Sequence, residues 1–198
     1  MKWLCFISLV LCAGCAVSKN PLRKEFRDLQ TGKLKEDTSF VYRLPYEDNT
    51  SHWMIQGYFT HFSHKERAAI DFKMKRGTKV VAARDGVVVR MKEDGNKGGL
   101  NRKFRRFGNF ITVEHSDGTR AGYWHLQQNG VLVNLGDTVH RGQVIGLSGK
   151  TGYTALPHLH FIVWKYDSRG NWIPVATRFQ TTHGATYLRA LREYRAIP

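Results

Sequence analysis

VVAARDGVVV, residues 80–89, sets two apolar runs on either side of an Asp85-Gly86 turn. Short β-branched runs cut by glycine turns are the texture of a β protein. Working outward, Phe110-Ile111-Thr112-Val113-Glu114-His115 alternates in character and meets Ser116-Asp117-Gly118, a second turn signal. Ala121 to His125 is expected to return as its partner strand. Gln143 to Leu147 and Leu159 to Lys165 read as further strands, and Asp167 to Asn171 as a hairpin loop. The expected fold is all-β, a compact antiparallel barrel or sandwich over residues 40–182. In the tail, 183–198, Leu188, Leu191 and Tyr194 recur at i, i+3, i+6, so a short C-terminal helix is expected over Ala185 to Tyr194. Between two strands lies a basic, glycine-rich insertion, Glu93 to Gly108 (EDGNKGGLNRKFRRFG). It has little to bury and is expected to be a mobile surface loop, either simply solvated or lining a groove that holds an acidic substrate.

Upstream of Phe40 the texture changes. Lys2 precedes an apolar run, WLCFISLVL at residues 3–11, which is too short to span a bilayer and resembles a signal-peptide core. Leu11-Cys12-Ala13-Gly14-Cys15 resembles a bacterial lipobox, with Cys12 where leucine is more usual. Residues 1–15 are therefore read as an export signal whose removal leaves a lipid anchor at Cys15; ordinary cleavage near Ala13 or Ala16 is the alternative. Residues 16–39 are polar and charged and read mainly as a tether. A short helix around Leu22 to Leu29 is their one periodic feature, and the alternative is a helix docked on the domain. The expected location is the cell envelope, facing the periplasm from the outer or cytoplasmic membrane.

All three cysteines, Cys5, Cys12 and Cys15, lie in this leader. The body therefore has no internal disulfide and no thiol for catalysis or zinc binding. The formal charge is +15, and +14 once Lys2 leaves with the leader. Such a surface favours anionic partners, among them acidic lipid head groups and an acidic wall polymer, through contacts that salt weakens. Export argues against nucleic acid as the partner.

His158-Leu159-His160 stands at the mouth of the apolar run Phe161-Ile162-Val163-Trp164. In a strand, residues i and i+2 share a face, so both imidazoles can look into one cavity while Leu159 anchors in the core. Asp71, His125 and His64 lie near other expected strand ends. Neutral imidazoles with one carboxylate suit zinc, and three protein ligands leave a fourth position for water, the arrangement amide hydrolysis needs.

The chain resembles the lysostaphin/LytM-type zinc metallopeptidases, which act on peptidoglycan cross-links. The resemblance runs from about Phe40 to Phe179 and rests on an ordered set of motifs. These include Ser63-His64, Ala69-Ile70-Asp71-Phe72, Ala82-Ala83-Arg84-Asp85-Gly86, Gly108-Asn109, Tyr123-Trp124-His125-Leu126, Gly142-Gln143-Val144-Ile145-Gly146 and Pro157-His158-Leu159-His160-Phe161. It implies a LytM-type (duplicated hybrid motif-like) β domain with one Zn²⁺ per chain. It implies Asp71 and His160 as metal ligands with a histidine before Asp71 as the third, and His125 and His158 as catalytic histidines. Many members place the first histidine four residues before the aspartate, where this chain has Arg67. His64 is preferred for that role, with His61 as the alternative. The implied activity is endopeptidase cleavage of peptidoglycan, with a D-Ala–diaminopimelate cross-link as target, by a monomer. The alternative is a non-catalytic module that binds peptidoglycan or activates an amidase. His115 is expected to cap a hairpin, His52, His140 and His183 to lie at the surface, and Trp124 and Tyr153 to be either groove walls or core.

Overall fold

The structure, a computed structural model, describes residues 19–35, 40–60 and 63–198. The export signal with Cys15, residues 36–39 and His61 lie outside the described residues. The chain opens with helix α1 (Leu22–Thr31) and continues through β1 (Ser51–Gln56), β2 (Ala69–Lys73), β3 (Lys79–Val81), β4 (Gly86–Lys92) and β5 (Gly98–Gly99). A 3-10 helix (Arg102–Phe107) precedes β6 (Asn109–Glu114), β7 (Arg120–Val131), β8 (Thr138–Val139), β9 (Val144–Ser148) and β10 (Gly152–Tyr153). Then come β11 (His158–Tyr166), β12 (Trp172–Pro174), β13 (Arg178–Thr181), β14 (Gly184–Tyr187) and β15 (Arg192–Arg195).

The main sheet runs β15-β1-β2-β11-β7-β6-β4-β8, and its strands pair antiparallel. It remains open: β15 and β8 end the path, so the expected barrel does not close. The β6–β7 hairpin forms as its turn signal implies, and Asp167 caps the β11–β12 turn by accepting from Arg169 N and Asn171 N. The two halves of VVAARDGVVV do not pair with each other. Val80 lies opposite Gly146 of β9, and Val88 opposite Val113 of β6.

β11 lies inside the sheet and is buried from His158 through Trp164. Its odd-numbered residues Leu159, Phe161 and Val163 enter the core with Phe72, Ile70 and Tyr123 from the flanking strands. Its even-numbered residues lie on the other face, where Ile162 and Trp164 pack with Ala69 and Trp124. One face of this sheet thus builds the core, and the other the floor of the site.

Four local expectations are corrected. The tail is not helical: residues 184–187 and 192–195 are strands, and Arg192 to Arg195 complete the edge of β1. A helix would need Leu188 and Leu191 on one face, whereas Leu188 is buried and Leu191, with φ of 61°, is exposed. Ladder bonds to β1 outweigh the local periodicity.

Residues 22–31 of the supposed tether form a helix docked on the domain, its Phe26 and Leu29 buried with Phe59, Ala68 and Ala176. The insertion is structured, because its glycines allow close approach rather than looseness. A Cβ on Gly98 would stand 1.8 Å from Lys150 O, and one on Gly95 1.9 Å from Phe107 O. β5 pairs with β10, and Asn109 Nδ2 donates to Gly95 O at 2.8 Å. His52 is half-buried rather than superficial, with Nδ1 3.0 Å from Lys73 O and its ring edge-on to Tyr46. His140 and His183 are exposed as expected. His115, expected at a hairpin, closes the β6–β7 turn and donates from Nδ1 to Asp85 O at 2.7 Å.

Candidate metal centre

β2 and β11 pair with His160 directly opposite Asp71, which puts the two side chains on one face of the sheet. Asp71 Oδ1 lies 2.8 Å from His160 Nδ1, and Asp71 Oδ2 lies 3.5 Å from His158 Nε2. His64 reaches the same point from the connection between β1 and β2. Its Nε2 lies 3.1 Å from His160 Nδ1 and 3.2 Å from Asp71 Oδ1. Its Nδ1 donates to Gly57 O at 3.0 Å, which turns Nε2 toward Asp71 and His160.

His125 arrives by a different device. Simple alternation along β7 would send Trp124 and His125 to opposite faces. Asn109 instead pairs with Leu126 and Phe110 with Trp124, so His125 is the extra residue of a β-bulge. Its φ is 67°. Left-handed backbone at a residue with a side chain costs roughly 1–2 kcal/mol. Bulges of this kind re-aim side chains beside active sites. Here His125 Nδ1 donates to Thr151 O at 2.7 Å, and its ring centroid lies 4.7 Å from that of His158. His158 Nδ1 is anchored to Leu156 O at 2.9 Å, so its Nε2 faces the carboxylate.

Burial is the largest influence on the histidines. It pushes His160 down to about 4, against the pull of the Asp71 carboxylate. It pushes His125 down to about 3, helped by the neighbouring His158 and His160. For Asp71 burial opposes ionisation, but His64 and His160 outweigh it and hold the carboxyl well below its ordinary range. At neutral pH His125 and His160 are neutral and Asp71 is ionised, the protonation states that metal ligation requires.

His64, Asp71 and His160 bring three ligand atoms together, and His125, His158 and His160 form an overlapping group. Tetrahedral zinc with bonds of about 2.0–2.1 Å holds its ligand atoms roughly 3.3 Å apart. The separations of 2.8–3.2 Å in the first group are close to that. Two imidazole nitrogens and a carboxylate oxygen aimed at one point are the donor types that zinc takes. The donor set therefore fits zinc.

This cluster lies on the floor of a groove of about 990 Å³, and Trp124 and Tyr153 both line it, so they are groove walls. Trp124 stacks on Phe110 with ring centroids 4.2 Å apart. Sequence reasoning assigned no role to Thr151 or Leu156, whose backbone carbonyls orient the two catalytic-candidate histidines. The role belongs to backbone carbonyls, for which residue type carries no signal.

A largely antiparallel β fold with buried histidines and a carboxylate on the floor of an open groove has the build of a metallohydrolase. Residues 65–172 match the model of peptidase family M23, and the chain belongs to that family. The match begins one residue after His64, so that histidine stands outside it. Over 96 residues the chain is 42% identical to a protein of Buchnera aphidicola subsp. Baizongia pistaciae named "Uncharacterized metalloprotease", covering 48% of this chain and 22% of that one. Over 91 residues it is 40% identical to peptidoglycan DD-endopeptidase ShyA of Vibrio cholerae, covering 46% and 18% respectively. The matched stretch spans about a fifth of the length of these curated relatives. Among solved structures, a zinc containing peptidase from Vibrio cholerae is similar at 27% identity and a TM-score of 0.48, over 63% of this chain and 36% of that one.

Proposed function

We propose that this chain is a zinc-dependent endopeptidase that hydrolyses peptide cross-links of peptidoglycan, with the D-Ala–diaminopimelate bond as its target. The observation that carries the reading is the convergence of His64 Nε2, Asp71 Oδ1 and His160 Nδ1 beneath a groove also lined by His125 and His158. The name of the Vibrio cholerae relative, a peptidoglycan DD-endopeptidase, supports the substrate class.

His64, Asp71 and His160 would hold the zinc ion, one per chain. When bound, zinc supplies Lewis acidity, polarising the scissile carbonyl and lowering the pKa of a water molecule. His125 and His158 each commit Nδ1 to a backbone carbonyl, so each presents Nε2 for proton transfer. His125, held neutral by burial, can take a proton from the attacking water but cannot store it. The proton is passed on to the leaving amine as the peptide bond breaks. His158 also turns Nε2 toward the site and, once that nitrogen has taken up a proton, would donate it in a hydrogen bond to the oxyanion that develops at the carbonyl. A module that only bound the wall or activated an amidase would need no such donor set.

The same reading has the mature chain acting as a monomer in the cell envelope, lipid-anchored through Cys15. The test is incubation of the soluble domain with isolated sacculi, with and without a zinc chelator, beside His160→Ala. Release of cut cross-links by the parent alone, and only without chelator, is the expected result. Undiminished cleavage by His160→Ala would sink the mechanism, and wall binding without cleavage would favour the non-catalytic reading.

A further inference from the structure

Arg67 and Arg105 reach the groove from separate parts of the chain, one from the connection before β2 and the other from the 3-10 helix of the insertion. Among the described residues, arginine ion pairs are made by Arg43, Arg84, Arg120 and Arg169, not by these two. Glu66 also lines the groove, but it accepts from Asn20 at 3.2 Å and makes no ion pair with either arginine. Arg105 instead lies over the Tyr153 ring, 5.4 Å from its centroid. Arg90 lines the groove as well, seated over the Phe110 ring, 5.4 Å from its centroid.

The position of Arg105 is built in. β5 pairs with β10, the Gly98 Cα hydrogens face Lys150 O, and Asn109 N donates to Thr151 Oγ1 at 3.0 Å. Thr151 is also the residue whose carbonyl holds His125. The insertion that carries the arginine is thus tied to the loop that orients a catalytic histidine. Guanidinium groups without ion-pair partners along one groove favour an anion there. Guanidinium groups bind carboxylates through paired, charge-assisted hydrogen bonds.

We propose that Arg67 and Arg105 form a subsite for a free carboxylate on the substrate peptide, beside the bond to be cut. This rests on the peptidase reading above and sharpens it: the preferred substrate is a cross-linked peptide with free carboxylates, not an amidated one.

The experiment uses purified cross-linked muropeptides, free or with their carboxylates amidated by carbodiimide coupling to ammonia. For the zinc-loaded protein, amidation is expected to lower kcat/KM roughly tenfold, the scale of one charge-assisted hydrogen bond. Arg67→Gln and Arg105→Gln are each expected to lose a similar factor on the free peptide and to become indifferent to amidation, with zinc content unchanged. Arg105→Lys should restore part of the preference. Equal cleavage of both peptides by the parent, or an undiminished preference in both glutamine variants, would overturn the subsite. Both peptides are also titrated into chelated protein, where no bond is cut. A preference for the free carboxylate that both substitutions abolish supports the subsite even if cleavage is absent, in which case only the hydrolase reading fails. Equal binding of the two peptides overturns the subsite even if both are cut.

Discussion

Asp71 and His160 face each other across neighbouring strands, whereas His64 hangs from the connection between β1 and β2 and meets them only at its tip. The first pair is held by strand register and by a core that fills the opposite face of β11 with Leu159 and Phe161. The second region has a separate support. Phe26 of α1 packs edge-on against Tyr58 and Phe59, with ring centroids 5.1 and 5.2 Å away, at the start of the His64 connection. Phe59 has φ of 51°, an unfavourable conformation for so bulky a residue. Arg67 N donates to His64 O and Phe59 N to Arg67 O, each at 3.0 Å, closing the connection on itself. The lesson is that a candidate metal site can draw its donors from a sheet backed by the main core and from a connection packed on a small satellite core. The segment that reads as a tether belongs to that satellite.

The largest expected effect comes from breaking the sheet-borne half. His160→Ala should abolish stoichiometric zinc binding and lower sacculus cleavage by at least about a thousandfold. Metal content measured beside a turbidity assay checks this. His64→Ala should weaken zinc binding by a factor on the order of a hundred while leaving the sheet folded. Retained zinc in that variant would overturn the assignment of His64, and loss of zinc in His61→Ala instead would hand the role to His61.

Phe26→Ala tests the satellite directly. It is expected to weaken zinc binding by about tenfold, as removal of a ligand's supporting neighbour does. The main unfolding transition should shift only slightly, because the large core is untouched. If zinc affinity is unchanged, α1 does not support His64 and the contrast between the two halves collapses.

The smallest effect is on pH dependence of the chelated protein. His125 and His160 titrate near 3 and 4 in the fold, below their ordinary value near 6.5. Between those limits the unfolded chain binds more protons than the folded one, so stability falls as pH drops below about 6.5 and levels off below about 3. Above about 6.5 both states are neutral at these sites, and they contribute no pH dependence. Asp71, held low, keeps its charge through most of this window and contributes only at its acid end. Denaturant midpoints at pH 7.5 and 5 should show the decline, and zinc should deepen it because protons compete with the metal for imidazole. A flat profile would mean that the histidines are less buried than the geometry implies.

Much of the sheet was legible from local text. The β6–β7 and β11–β12 hairpins follow from alternation ending in Ser116-Asp117-Gly118 and in Asp167 to Asn171. The shared face of His158 and His160 follows from the period of a strand. The glycine-rich insertion and the tail depart from their local signals for opposite reasons. Glycine signals both looseness and close approach, and only the presence of Lys150 O and Phe107 O decides which applies. The spacing of Leu188, Leu191 and Tyr194 suits a helix, but the open edge of β1 offered that segment a ladder.

By itself the sequence determined the kinds of donor available, the absence of thiols from the body, the β texture and the face shared by the two histidines of His158-Leu159-His160. Each of these depends on composition or on neighbours a few residues apart. Tertiary structure alone decided that His160 stands opposite Asp71, that His64 closes the set with Nδ1 committed to Gly57 O, and that His125 leaves strict alternation to join them. Those outcomes depend on register, a bulge and the docking of α1, all pairings between distant segments. Their energies come from packing and hydrogen bonds that do not exist until the sheet has formed.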